Sequence, residues 1–196
     1  MTGTRTHALA VGLLIAASSV LACGSLDTAS RLQDTDRLVY AAVLREVWNP
    51  AWKAPPDEPR LGFVNSTLTG RPPLSGNSLG DRDRGMSTQT AVRQATENLR
   101  RRCRRQFALE RLPGIPAGCP SVGLSELSPY DSFKARYPTL WGYVRVSSVG
   151  YSKDRRFAIV WMQVSWGGSF SNDLYLLSSD GASWKVEDEK HSRLQS

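Results

Sequence analysis

The chain has 196 residues and a formal charge of +7, and it is 40% hydrophobic and 9% aromatic. That is enough apolar and aromatic material for a domain with its own core, and it excludes a disordered chain. A basic domain of this size is read first as a nucleic-acid binder, but the N-terminus argues for export away from nucleic acid.

Residues 1–22 read as a signal peptide. Arg5 supplies a positive charge, and an uninterrupted run of 15 small and apolar residues from Ala8 to Ala22 follows with no acidic residue before Asp27. The run is shorter than the roughly 20 residues a spanning helix needs and suits the apolar core of a secretory signal. Val20, Leu21, Ala22 and Cys23 resemble a bacterial lipobox, in which the cysteine takes a diacylglycerol and becomes the mature N-terminus. Ordinary cleavage after Ala22 is the alternative. Cysteine parity favours lipidation: of the three cysteines, a lipidated Cys23 leaves Cys103 and Cys119 as an even pair in an oxidising compartment. The mature chain, residues 23–196, keeps a charge of +6, because Arg5 is the one formal charge removed. Gly24 to Gln33 is small and polar, a short tether. The expected organisation is a signal peptide over 1–22, a lipidated cysteine and tether over 23–33, and one globular domain over 34–196.

Asp34 to Trp48 reads as the first helix, capped by Asp34 or Thr35, with Leu38, Val39, Ala42, Val43, Leu44, Val47 and Trp48 at helical spacing. Asn49-Pro50 stops it. The Pro- and Gly-rich stretch that runs to Gly85 reads as loop, with one strand expected at Leu61 to Leu68. Ser87 to Phe107 is the second helix. Val92, Ala95, Leu99, Cys103 and Phe107 lie on one side, Arg100, Arg101, Arg104 and Arg105 on the other, and Arg102 near the border. The prolines and glycines from Leu112 to Pro120 exclude a helix. Val122 to Leu127 reads as a strand and Asp131 to Tyr137 as a short helical turn. Strands are then expected at Tyr143–Tyr151, Arg156–Trp166, Leu174–Leu177 and Ser183–Glu187. Their turns fall at Lys153-Asp154, Gly167-Gly168 and Asp180-Gly181. The fold class is α+β: two or three helices packed on a small antiparallel sheet with a C-terminal four-strand meander.

Tyr137-Pro138, Gly142, Ser147, Val149, Gly150 and Tyr151 form a segment that resembles one found in uncharacterised bacterial exported proteins. Ala158, Gly167-Gly168, Tyr175 and Trp184 continue the likeness. It implies a shared fold and carries no information on activity. Ser169-Phe170-Ser171-Asn172 stands where the pattern leads us to expect Cys or further Gly.

Several constellations can be weighed by residue type. His191 is the one histidine of the mature chain, so a zinc site would need it to meet Cys103, Cys119 and a carboxylate; a surface histidine and a disulfide are the simpler reading, and no metal or other cofactor is expected. Gly76-Asn77-Ser78-Leu79-Gly80 matches the Gly-x-Ser-x-Gly elbow of hydrolases, but it lacks the preceding strand and following helix that such an elbow requires. Alternation along a strand would put Glu187 and Glu189 on one face, with Asp188 between them. Trp141, Trp161, Trp166 and Trp184 suit core and rim packing better than a groove. Closing the 15-residue stretch between Cys103 and Cys119 with a disulfide would stabilise the fold by roughly 3 kcal/mol.

Five of the six residues from Arg100 to Arg105 are Arg. Like charges at i,i+4 repel by a few tenths of a kcal/mol per pair. A phosphate or carboxylate brought to that face would offset the repulsion. The alternative is a solvated face paired with Glu97, Glu110 and other acids. The sequence therefore points to a non-catalytic, lipid-anchored protein of the cell envelope, facing the periplasm from an outer membrane if the cell has one. It would bind anionic lipids or wall polymers through Arg100, Arg101, Arg104 and Arg105, with no nucleic-acid partner. The competing class is a small envelope hydrolase built on Ser78 or on the carboxylates.

Overall fold

The computed structural model describes residues 34–47, 61–73, 79, 85–109, 112–115, 117–166 and 169–194. The signal segment, Cys23, the tether, Ser78 and the Gly167-Gly168 turn lie outside the described residues.

Helix α1 spans Asp34–Val47, with Asp34 and Asp36 in the first turn, where the positive end of the helix dipole favours acids. Val39, Tyr40, Val43 and Leu44 are its fully buried stripe, while Leu38 stays exposed. Strand β1 covers Leu61–Val64 and helix α2 Met86–Arg102. Strand β2 is only Ser121–Val122 and gives way to a 3-10 turn over Leu124–Glu126; helix α3 covers Tyr130–Arg136. Four further strands complete the sheet: β3 (Gly142–Val146), β4 (Gly150–Tyr151) with β5 (Phe157–Trp166), then β6 (Ser169–Ser179) and β7 (Trp184–Leu194).

The sheet order is β2-β1-β3-β5-β6-β7, with β4 continuing the line of β3 along β5. The C-terminal part is the expected antiparallel meander, its first strand broken at residues 147–149 into β3 and β4. The sheet as a whole is mixed rather than antiparallel, because β1 pairs in parallel with both β2 and β3. The chain leaves β1, forms α2 and α3, and returns to pair in parallel, as a parallel pair requires a long connection. At the last turn Asp180 accepts the N–H groups of Ala182 and Ser183, at 2.9 and 2.8 Å, and Gly181 takes φ +97°, which a glycine adopts without strain.

Alternate residues of the strands face opposite layers. Val144, Val146, Ala158, Val160, Met162, Val164, Tyr175 and Leu177 share one cluster with α1. Ile159, Trp161, Leu174 and Leu176 pack against Val92, Ala95, Leu99 and Cys103 of the α2 segment. Phe133 of α3 covers Val64, Val122 and Leu140, with Tyr143 against them. Gly150 explains the close seat of α2: a Cβ there would run into the backbone of Ala95 and Leu99.

Candidate arginine surface and the half-buried arginine beside it

The arginine run is split by the end of a helix. Helix α2 stops at Arg102, and Cys103 donates its N–H to Leu99 at 2.9 Å. The next two residues continue as tight turns, Arg104 N–H to Arg101 O at 3.3 Å and Arg105 N–H to Arg102 O at 3.1 Å. Arg104 and Arg105 are therefore not on the α-helix that the periodicity extends to Phe107. Arg100, Arg101, Arg104 and Arg105 are all exposed. Among the described residues none of the four makes an ion pair, Glu97 one turn before Arg101 included. The end of α2 accounts for part of this charge, since unpaired carbonyls at a helix C-terminus attract cations. The residues past it lie beyond that help.

Arg102 has the opposite fate. Its two terminal nitrogens donate to the two oxygens of Asp36 on α1, at 3.2 and 2.8 Å, and one of them also donates to the Val149 carbonyl at 2.8 Å. Asp36 is fully buried and accepts a third bond, from the Tyr151 hydroxyl at 2.8 Å. The Arg102 guanidinium also sits 6.0 Å from the centre of the Tyr151 ring. Burial works against the charge on Arg102, but the hydrogen bond and charge of Asp36 outweigh it and hold the guanidinium above its ordinary range. Burial, then the Asp36 charge, pushes the Tyr151 hydroxyl well up. Tyr40 adds a link by donating to the Ser147 carbonyl at 2.8 Å. This clasp joins α1, α2 and the β3–β4 break. Its sequence signal was Asp36 itself, a carboxylate one turn before Val39 and Tyr40 on an apolar stripe, which calls for a buried cation.

No disulfide joins Cys103 and Cys119, against the bridge expected from their spacing. Cys103 is buried in the α2 layer, where desolvation pushes its thiol up to about 11. Cys119 packs against the α1-side cluster and donates its S–H to the Leu61 carbonyl at 3.2 Å. His191 lies on β7, opposite Asp173 of β6. Its Nδ1 lies 3.0 Å from Asp173 and its Nε2 3.4 Å from Glu189. Ser171 donates to the other oxygen of Asp173 at 2.9 Å. The carboxylate thus stands between serine and histidine. A nucleophilic serine needs the imidazole against its own hydroxyl, so this set does not activate Ser171.

A bulge in β7 separates the adjacent carboxylates. Glu187 accepts from Ser178 at 2.7 Å, whereas Glu189 pairs across from Tyr175 beside His191. The alternation expected for Glu187 and Glu189 fails for that reason. Among the described residues the four tryptophans do not share one face: Trp161 is buried against α2, Trp166 and Trp184 pack on the α1-side cluster, and Trp141 is 57% exposed.

No family model, curated protein or solved structure matches the chain. Among the described residues no helix is long and apolar enough to cross a membrane, and no group of three or more His, Cys, Asp or Glu is placed to hold a metal.

Proposed function

We propose that this chain is a non-catalytic protein of the bacterial cell envelope, anchored through a lipid on Cys23, whose domain holds anionic groups on Arg100, Arg101, Arg104 and Arg105. One observation carries the binding half of the reading. Four exposed guanidiniums crowd the end of α2 with no carboxylate paired to them among the described residues, while the adjacent Arg102 is neutralised by Asp36. Arginine forks match phosphate and carboxylate geometry, and an anionic surface relieves the repulsion within the cluster. The N-terminal sequence carries the other half.

Anchoring is tested by Cys23→Ser, which is expected to move the protein from the membrane fraction to the soluble envelope fraction. An unchanged distribution with no acyl mass on the N-terminus overturns it. Binding is tested on the unanchored Cys23→Ser protein with vesicles of phosphatidylglycerol and phosphatidylcholine. It is expected to sediment with them at low salt and to be released as ionic strength approaches about 0.15 M. Replacing the four arginines with Gln is expected to abolish sedimentation without changing the fold; equal binding by that variant reduces the cluster to solvated surface.

A further inference from the structure

The face of the sheet that α2 and α3 share is not apolar throughout. The register sets Arg145 of β3 opposite Gln163 of β5, and Gln163 opposite Asn172 of β6, in one cross-strand row. The next row along the same face is Tyr143, Ser165 and Phe170. Neighbouring strands lie about 4.8 Å apart, so Arg145, Gln163 and Asn172 form a polar strip roughly 10 Å long. Trp161 borders it on the α2 side. All of these residues are half-buried except Asn172 and Trp161, which are buried at 7% and 8% exposure.

The strip is built, but its cation is left unmatched. Asn172 Oδ1 accepts the Trp161 indole N–H at 3.0 Å and the Gln163 amide at 3.4 Å, which fixes both amides in place. The Nε of Arg145 is buried with no hydrogen-bond partner, and among the described residues no carboxylate pairs with this guanidinium. Burial accordingly pulls Arg145 below its ordinary range, the reverse of Arg102. A guanidinium kept only for structure is ordinarily matched, as Arg102 is, because a buried unpaired donor is destabilising. Arg145 instead offers a partly desolvated fork beside two oriented amides and the Ser165 hydroxyl, with Tyr143, Phe170 and Trp161 as apolar sides. That is the composition of a small-ligand site: an apolar surround with a few convergent polar groups.

We propose that Arg145, Gln163 and Asn172 form a binding site for a small ligand bearing an oxyanion, a carboxylate or a phosphate, held by the Arg145 fork. The site is distinct from Arg100, Arg101, Arg104 and Arg105, and it stands or falls independently of that surface and of the anchor.

The test uses the full chain with Cys23→Ser, labelled with 15N, and follows the arginine Nε–H and tryptophan indole N–H signals by NMR. Sodium acetate and inorganic phosphate are titrated separately at constant ionic strength. The Arg145 signal, assigned by its loss in Arg145→Lys, is expected to shift saturably together with the Trp161 indole. Saturation by acetate alone identifies a carboxylate ligand, and saturation by phosphate alone a phosphate ligand; either supports the site. Gln163→Glu supplies an internal carboxylate directly opposite Arg145, so its Arg145 signal is expected to start displaced and to ignore both probes. The proposal is overturned if neither probe saturates, if all arginines shift alike, or if the Trp161 response persists undiminished in Arg145→Lys.

Discussion

The two faces of the sheet are made by alternate residues of the same strands, yet they are filled differently. Under α1 the strands supply one continuous apolar cluster from Leu61 and Phe63 through Val160 and Met162 to Leu177. The other face is divided into a cluster under α2 and a smaller one under α3, with Arg145, Gln163 and Asn172 on the sheet floor beside them. A sheet buried on both sides loses the simple alternation of apolar and polar residues. A polar residue within such a strand then marks the part of a face where apolar cover ends. The first face serves cohesion, and the second leaves half-buried chemistry.

The largest effect is expected where the two layers are tied together. Asp36→Asn removes the charge facing Arg102 and leaves a mostly buried guanidinium unmatched. Breaking such a pair costs about 3 kcal/mol, the low end of the usual range because Arg102 retains 23% exposure. Urea unfolding of the variant measures it, and a loss below a third of that would mean the layers are held by packing alone.

A slightly smaller effect is expected from pH. The Cys103 thiol is neutral in the α2 layer and pushed up to about 11, against roughly 8.5 in an unfolded chain. A raised acid favours its protonated form in the folded state. Its contribution is therefore complete below about pH 8.5 and is lost as pH rises to 11, a decline of about 2–3 kcal/mol. Unfolding midpoints of Cys103→Val should fall less over that window than those of the parent, and an identical slope would assign the decline to the buried tyrosines instead. In denaturant both Cys103 and Cys119 are expected to react with a maleimide before any reductant is added. Protection of both would show the bridge that their spacing suggests.

The polar row gives the next effect, with the opposite sign. Arg145→Met keeps the aliphatic stem and removes an unmatched cation, so it should raise stability by about 1 kcal/mol while abolishing the anion response. A variant less stable than the parent would make Arg145 a structural residue and the two faces alike in purpose. The smallest effect belongs to the exposed cluster: Arg100, Arg101, Arg104 and Arg105 replaced by Gln should shift stability by no more than about 0.5 kcal/mol in thermal unfolding. A large loss would show that these side chains hold the fold.

Much of this arrangement was legible in local pattern. The stripe of α1, the α2 stripe from Val92 to Leu99, the β5 run and the Asp180-Gly181 turn each follow from residues within one or two turns of one another. The errors have physical causes. Phe107 continues the α2 period and arginine is a good helix former, but the chain leaves the helix at Cys103, whose carbonyl accepts from Gly70. Ser169 to Asp173 and Glu187 to Leu194 carry too little apolar patterning to announce strands, and they extend because β6 and β7 pair with each other.

What the sequence determined by itself is what depends on near neighbours: the α+β content, the antiparallel meander, the expectation of an exported chain, and an arginine run with too few local acids. Tertiary structure alone decided which arginine is neutralised. Arg102 and Asp36 stand 66 residues apart, as only the packing of α1 beside the end of α2 brings them within 2.8 Å. It also decided the parallel pairing of β1 and the row from Arg145 to Asn172. Strand register is set by hydrogen bonding between segments distant in sequence, so no periodicity within either strand encodes which side chains come to lie side by side.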